Sequence, residues 1–216
     1  STITYDRTYV IDLTPREPKA IAGAMPRAGR RGVLRAERVA REAGCTIAEE
    51  TGLSREEFES LYAVMSETAR RDGFRPHPSD VYWDMLTTLG PEHARLFVLR
   101  RDGEPHCWDL VTVSGKRAVA YYGASSSASR GFRGAEALDW FVACAMAAEG
   151  CDGLDLMGAD SARVPELYGV GQYKRRFAQH PTEVDGAWDV PVHPLIYRAL
   201  RRARRARHFV RDRLGV

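Results

Sequence analysis

Apolar positions change their spacing several times along the chain, and each change marks an element. Tyr9-Val-Ile-Asp-Leu13 is a short apolar run that predicts a strand, and Thr14-Pro15 behind it supplies an N-cap and a first-turn proline for a short helix. A helix over about 30–43 is stopped by Gly44, and Cys45 to Glu50 reads as a strand. In Ser54-Arg-Glu-Glu57 a serine precedes a glutamate by three residues, the pattern in which side chain and backbone cap each other. Phe58, Leu61, Tyr62 and Met65 then recur at helical spacing, so Ser54 to about Arg71 is predicted as a helix with its apolar stripe in the core. Pro78-Ser79-Asp80 caps a further helix, with Val81, Met85 and Leu89 on one side and Gly90-Pro91 at its end.

Three strands follow: Ala94 to Arg100, about His106 to Val113 and Arg117 to Tyr122, joined by turns at Asp102-Gly103 and Ser114-Gly115. They predict an antiparallel meander. Gly134 to Glu149 carries Ala137, Leu138, Phe141, Val142, Ala145 and Met146, the pattern of a buried helix, with Gly150 as its stop. Leu154-Asp-Leu-Met157 is a strand leading into Gly158, and an arginine-rich helix is expected over about 194–213. This order is an α+β plan: one domain over 1–216, with a mixed, mostly antiparallel sheet covered by helices on both faces. It is similar to the order of the acyl-CoA N-acyltransferase (GNAT) fold.

At 216 residues the chain can bury one substantial core. No run of about 18 apolar residues occurs, and Ser1 to Arg7 lacks the basic-then-apolar pattern of an export signal, so a soluble, cytoplasmic protein is expected, possible as a monomer. Ser1 is the residue left when an initiator Met precedes a small residue, which predicts a complete chain. Cys45, Cys107, Cys144 and Cys151 form no CxxC pair, so reduced and mostly buried thiols are expected. The six histidines show no ligand spacing, and no metal is predicted. Charge is uneven: from Arg198 to Arg213 eight arginines face one acid, a charge of +7 within a chain of +3, so the remainder stands at −4. Clustered guanidinium groups suit phosphate by charge and by fork geometry. Arg27, Arg30, Arg31, Arg35, Arg38 and Arg41 form a second basic stretch. A solvated helix face is the plain alternative for both.

Tyr121-Tyr-Gly-Ala-Ser-Ser126, Leu138-Asp-Trp140, Gly150-Cys151, Asp155-Leu-Met-Gly158, Gly171-Gln-Tyr-Lys-Arg-Arg-Phe177, Gly186-Ala-Trp-Asp189 and Pro194-Leu-Ile-Tyr197 follow one another at intervals that resemble the Fem family of aminoacyl-tRNA-dependent peptidoglycan-bridge transferases. Met65 to Phe74 and the basic helix of about 35–44 look like the start of the same domain, so the resemblance covers roughly residues 8–205. Family members usually carry two such domains, and this chain matches the second. Stand-alone relatives of the pacidamycin type, which add alanine from alanyl-tRNA to a peptide amine, are similar in scope.

The resemblance implies transfer of an amino acid from aminoacyl-tRNA, as co-substrate and without a further cofactor, to the amino group of a peptide-containing acceptor. Aminolysis of an activated ester needs placement, proton loss and oxyanion stabilisation, and no covalent nucleophile. The family's cation beside the reacting ester matches Lys174, preceded by Tyr173 where relatives generally carry Phe. Asp155 is a possible base for the incoming ammonium, and a structural, hydrogen-bonded Asp is the alternative. Tyr122, Ser125, Ser126 and Arg130, around a strand-to-helix junction, are assigned to substrate binding. Arg175, Arg176, Arg198, Arg201, Arg202 and Arg205 are assigned to tRNA phosphates. Two rivals remain open. One is an acetyl-CoA-dependent N-acetyltransferase, whose pyrophosphate loop should read Gln or Arg, two residues, Gly, one residue, then Gly or Ala. Arg130-Gly-Phe-Arg-Gly-Ala135 departs from it at Arg133, where glycine is expected. The other is a non-catalytic RNA-binding domain.

Overall fold

The computed structural model describes residues 5–185 and 190–203. Residues 5–185 form one compact part, and residues 190–203 belong to a second. In the first part the elements run β1 (Arg7–Asp12), α1 (Pro18–Ala24), α2 (Arg27–Glu42), β2 (Cys45–Glu49), α3 (Arg55–Asp72), α4 (Ser79–Leu89), β3 (Ala94–Arg101), β4 (Glu104–Ser114), β5 (Arg117–Ser125), α5 (Gly134–Ala148), β6 (Gly153–Gly158), α6 (Tyr168–Lys174) and β7 (Thr182–Glu183). The strands form one sheet in the order β2-β3-β4-β5-β6-β1-β7. The β5–β6 pair is parallel and its other neighbours pair antiparallel, so the mixed sheet anticipated from the apolar pattern is present.

Strand alternation sends successive side chains to opposite faces, and both faces are covered. Phe97, Leu99, Cys107 and Val111 join α1, α2 and α5 in one core, built around Val33, Ala36, Leu138, Val142 and Met146. Leu96, Val98, Trp108 and Leu110 join α3 and α4 in the other, against Phe58, Leu61, Met65, Tyr82 and Leu86. The Ser54 capping box forms as expected: the Ser54 hydroxyl accepts from the Glu57 N–H at 3.2 Å, and the Glu57 carboxylate accepts from the Ser54 N–H at 2.7 Å. The four cysteines are free thiols.

Two local expectations change. Thr14-Pro15 does not open α1, because Arg16 takes a left-handed φ of 62° and sends its guanidinium to the Cys151 carbonyl and Asp152. The helix starts at Pro18 instead, with Glu17 as N-cap. On α4 the buried stripe is Tyr82 and Leu86, while Val81 and Leu89 stand half out of the core. Tyr82 wins the inner position because its ring is anchored on Tyr122 at 4.6 Å and its hydroxyl accepts from the His77 N–H at 3.1 Å. In the second part, residues 194–203 are helical and the Arg201 guanidinium lies over the Tyr197 ring at 5.6 Å. The remainder of the expected arginine-rich helix, Arg205 included, lies outside the described residues.

Candidate active site between diverging strands

The parallel register of β5 and β6 covers Arg117–Val119 against Gly153–Asp155. Past it, β5 stays paired with β4 as far as Ser125, and β6 stays with β1 as far as Gly158. A cavity of about 350 Å³ opens between them, closed at its sides by α5 and α6. A bulge shapes its rim: Leu110 faces Tyr122 and Val111 faces Ala120, which leaves Tyr121 as the extra residue. Tyr121 therefore lines the cavity, whereas Tyr122 turns to the opposite face of the sheet and packs on Tyr82.

Lys174, the last residue of α6, reaches this cavity, and its Nζ donates to the Gly158 carbonyl at 2.8 Å. Burial lowers its pKa to about 8, against the opposing pull of Asp139 and Asp155. Tyr173 contributes in two ways. Its ring packs on buried Phe177 at 5.4 Å, and its hydroxyl donates to Asp139 Oδ2. Burial, and then the charge of Asp139, push that phenol well above its usual value, so it stays a donor.

Two carboxyls meet in the cavity wall. Asp139, on α5, is pushed up to about 6 by burial, although Tyr173, Lys174 and a hydrogen bond with Asp109 favour its charged form. Asp109, on β4, is pushed well above the ordinary carboxylate range, first by burial and then by the neighbouring Asp139. Burial and mutual repulsion thus favour a proton shared by the pair. Asp109 is only 8% exposed, and its Oδ2 has no hydrogen-bond partner among the described residues. Opposite it on β5 stands Gly123, where a Cβ would lie 2.6 Å from Asp109 Oδ1, so only glycine leaves room for this carboxyl. Cys107 also lines the cavity, but burial pushes its thiol up to about 12, and it is no thiolate nucleophile.

The other expected site residues divide. Ser125 lines the cavity, its N–H donating to Thr68 Oγ1 at 2.9 Å and its carbonyl accepting from Arg71 and Thr68. Ser126 is buried in the following turn, with its hydroxyl bonded to His106 Nδ1 at 2.9 Å. Arg130 is exposed beyond Asp72, a cavity residue whose carboxyl is held low chiefly by Arg71 and also by Arg130. Asp155 sits behind the cavity wall: it accepts from the Thr8 hydroxyl and from the Met157 N–H at 2.6 Å, and so secures Met157 at a left-handed φ of 62°. Arg175 and Arg176 are exposed just past Lys174. Arg198, Arg201 and Arg202 are exposed in the separate helical segment. Asp109, Asp139, Arg71 and Tyr121 were not anticipated as site residues, although a lone acid at the inward position between Cys107 and Val111 was a usable signal. Among the described residues no group of three or more His, Cys, Asp or Glu side chains could hold a metal ion, and no helix is long and apolar enough to cross a membrane.

The carboxyl pair carries a stability prediction with a definite sign. Asp139 binds its proton more tightly in the fold than at its ordinary 3.8, so the stability it adds is complete below that value and is lost as pH rises through about 6. The difference in melting temperature, wild type minus Asp139→Asn, is therefore expected to fall between about pH 4 and pH 6.5. A difference that stayed flat over this range would remove the proton-sharing pair.

The sequence profile of the acetyltransferase (GNAT) domain family matches residues 27–175. No sequence among curated proteins matches the chain. Among solved structures, FemX is similar with a TM-score of 0.75 at 16% identity, over 91% of this chain and 64% of that one. The C-terminal domain (DUF2156) of a putative lysylphosphatidylglycerol synthetase from Agrobacterium fabrum follows with a TM-score of 0.58 at 18% identity, over 80% of this chain and 56% of that one. L-PGS from Bacillus licheniformis has a TM-score of 0.54 at 16% identity, over 75% of this chain and 47% of that one. This chain thus spans between about half and two thirds of the length of these structures, and at such identities the likeness is one of fold. With more than half of its residues matched by the family profile, the chain belongs to the acetyltransferase (GNAT) domain family.

Proposed function

We propose that this chain is an aminoacyltransferase that moves an amino acid from aminoacyl-tRNA to a primary amine of a peptide-containing acceptor. The carrying observation is the half-buried Lys174 ammonium, aimed into a cavity between diverging strands in a fold similar to that of FemX. A cation in such a site stabilises the oxyanion that forms when an amine adds to an ester carbonyl. No covalent intermediate is needed, which agrees with the protonated Cys107 thiol.

Two further observations favour an RNA ester as donor over a coenzyme A thioester. On the approach to α5 from β5, several of the backbone N–H groups that a pyrophosphate could use are engaged within the protein. Ser126 N–H goes to the His106 carbonyl, Ser127 N–H to Glu67, Ser129 N–H to Ser126, Arg130 N–H to the Ser127 carbonyl and Arg133 N–H to the Arg130 carbonyl. Arg133 adopts the left-handed φ of 56° that the loop's glycine would take, and folds its guanidinium onto Glu136, placing a carboxylate in the first turn of α5. Conversely, basic groups lead away from Lys174. Arg175 and Arg176 follow it directly, and the Arg176 backbone touches α2 at Gly29, where a Cβ would come within 1.7 Å of the Arg176 carbonyl oxygen. From there Arg27, Arg30, Arg31 and Arg35 stand exposed along α2 over about 12 Å of helix. Among the described residues, the ion pair of this helix's basic row is Arg38 with Glu42 at 3.9 Å. Such a row suits a phosphate backbone. Arg198, Arg201 and Arg202 supply further positive charge in the second part of the chain.

Purified protein incubated with charged tRNA and a peptide amine is expected to yield a new amide by mass spectrometry, and RNase pretreatment is expected to abolish it. Arg175→Ala with Arg176→Ala should weaken tRNA binding and flatten its salt dependence by roughly one log-log slope unit for each phosphate that the shortened side chains no longer reach. Membership of an acetyltransferase family makes acetyl-CoA the second donor to test. Product that survives RNase and requires acetyl-CoA would overturn the reading.

A further inference from the structure

We propose that the Asp109–Asp139 pair is the seat of the acceptor's amino group: it binds a primary ammonium and takes one of its protons. Geometry carries this assignment. Both carboxyls line the cavity that Lys174 enters, and Asp109, nine-tenths buried, presents an oxygen without a partner among the described residues. A buried acceptor oxygen costs free energy unless a donor reaches it, and a primary ammonium offers three. The surroundings are built to keep the pair in place. Gly123 leaves the space that Asp109 occupies, and the Tyr173 hydroxyl fixes Asp139. The charged and titratable groups facing the pair are Tyr173 and Lys174 from α6, Glu136 from α5 and Cys107 from β4.

The order of events follows from the two charges. The ammonium gives one proton to the Asp139 carboxylate and becomes an amine. Its lone pair adds to the ester carbonyl carbon, whose oxygen becomes negative beside Lys174. The adduct then expels the ribose oxygen, which leaves with the second proton from nitrogen. One C–N bond has formed and one C–O bond has broken, and the proton held by the pair returns to solvent. A base whose pKa lies near 6 is suited to this task at neutral pH, where it is largely ionised yet still basic.

The assignment of a proton acceptor rests on the aminoacyl-transfer reading, but ammonium binding does not, and the test has an arm for each. In an NMR titration of the full chain, n-propylammonium is expected to shift cavity resonances saturably, while 1-propanol does not. Asp139→Asn should weaken that binding about tenfold or more. In turnover, Asp139→Asn is expected to slow transfer to a peptide amine by on the order of a hundredfold or more, but transfer to hydroxylamine, which is uncharged at neutral pH, only slightly. A merely structural role would slow both acceptors alike and would overturn the proposal, as would a variant that binds propylammonium as tightly as the wild type. Asp109→Asn repeats both arms should the first variant fold poorly. If no charged tRNA supports transfer, the donor reading fails and the titration alone decides the amine site.

Discussion

Lys174→Met is expected to lower kcat for amide formation by about a hundred- to a thousandfold, the loss seen when one oxyanion donor is removed from a preorganised site. Its side chain is the cation that reaches the Gly158 carbonyl inside the cavity, on the side opposite β5, where Arg71 is engaged with the Ser125 carbonyl. Lys174→Arg should recover little, because a planar fork cannot take the place of a compact ammonium at the end of a short helix. The pH profile supplies a separate check. With Lys174 near 8 and the Asp109–Asp139 pair near 6, activity should follow a bell whose upper limb depends on loss of the Lys174 charge. In Lys174→Met that upper limb disappears with the activity.

Folding should not suffer. The fold depresses the Lys174 pKa from 10.5 to about 8, so the stability it contributes is present at high pH and lost as pH falls through 8. Near neutrality the ammonium is therefore a burden on the fold, and the methionine variant is expected to melt no lower than the wild type. Undiminished turnover in a folded Lys174→Met protein would remove this residue from the chemistry.

Gly29→Ala is expected to be the most damaging small substitution away from the cavity. A methyl group there would stand 1.7 Å from the Arg176 carbonyl oxygen and 2.7 Å from its carbon, both backbone atoms that no side-chain rotation can clear. Either α2 must move from its place against α5, or the chain after Lys174 must retreat. Overpacking of this kind costs about 1–3 kcal/mol or more, and each kcal/mol lowers the melting temperature of a chain this size by about 2–4 °C. Activity should fall along with stability, since the displaced segment begins two residues after Lys174. Calorimetry decides the matter: a melting temperature within about one degree of wild type would mean that α2 and Arg176 do not meet as closely as described.

Much of the fold was legible in the chain itself. Turns at Asp102-Gly103 and Ser114-Gly115 delimit β3, β4 and β5, because glycines at φ 82° and 58° can sit where branched residues cannot. Serine and glutamate three apart at Ser54 and Glu57 start α3, since their bonds are local and need no tertiary partner. Lys174 entered as a candidate through the resemblance to the Fem family, and the structure places it in the cavity lining.

What the sequence by itself determined was therefore whatever depends on neighbours within a few positions: the succession of the main elements and the two faces of the central strands. Only the tertiary structure decided which side chains share the cavity. Asp109 and Asp139 lie thirty residues apart on a strand and a helix, and nothing local says that their carboxyls converge or that one proton serves both. Tyr121, and not the expected Tyr122, lines the cavity because a single bulge shifts the register of β5, and a shift of one residue sends a side chain through to the other face. For Asp155 a base and a structural role were both open from the sequence, and it is seen to support the Met157 turn because β1 brings Thr8 alongside it. Burial, charge sharing and register all arise from contacts between distant segments, and they are properties of the packed chain.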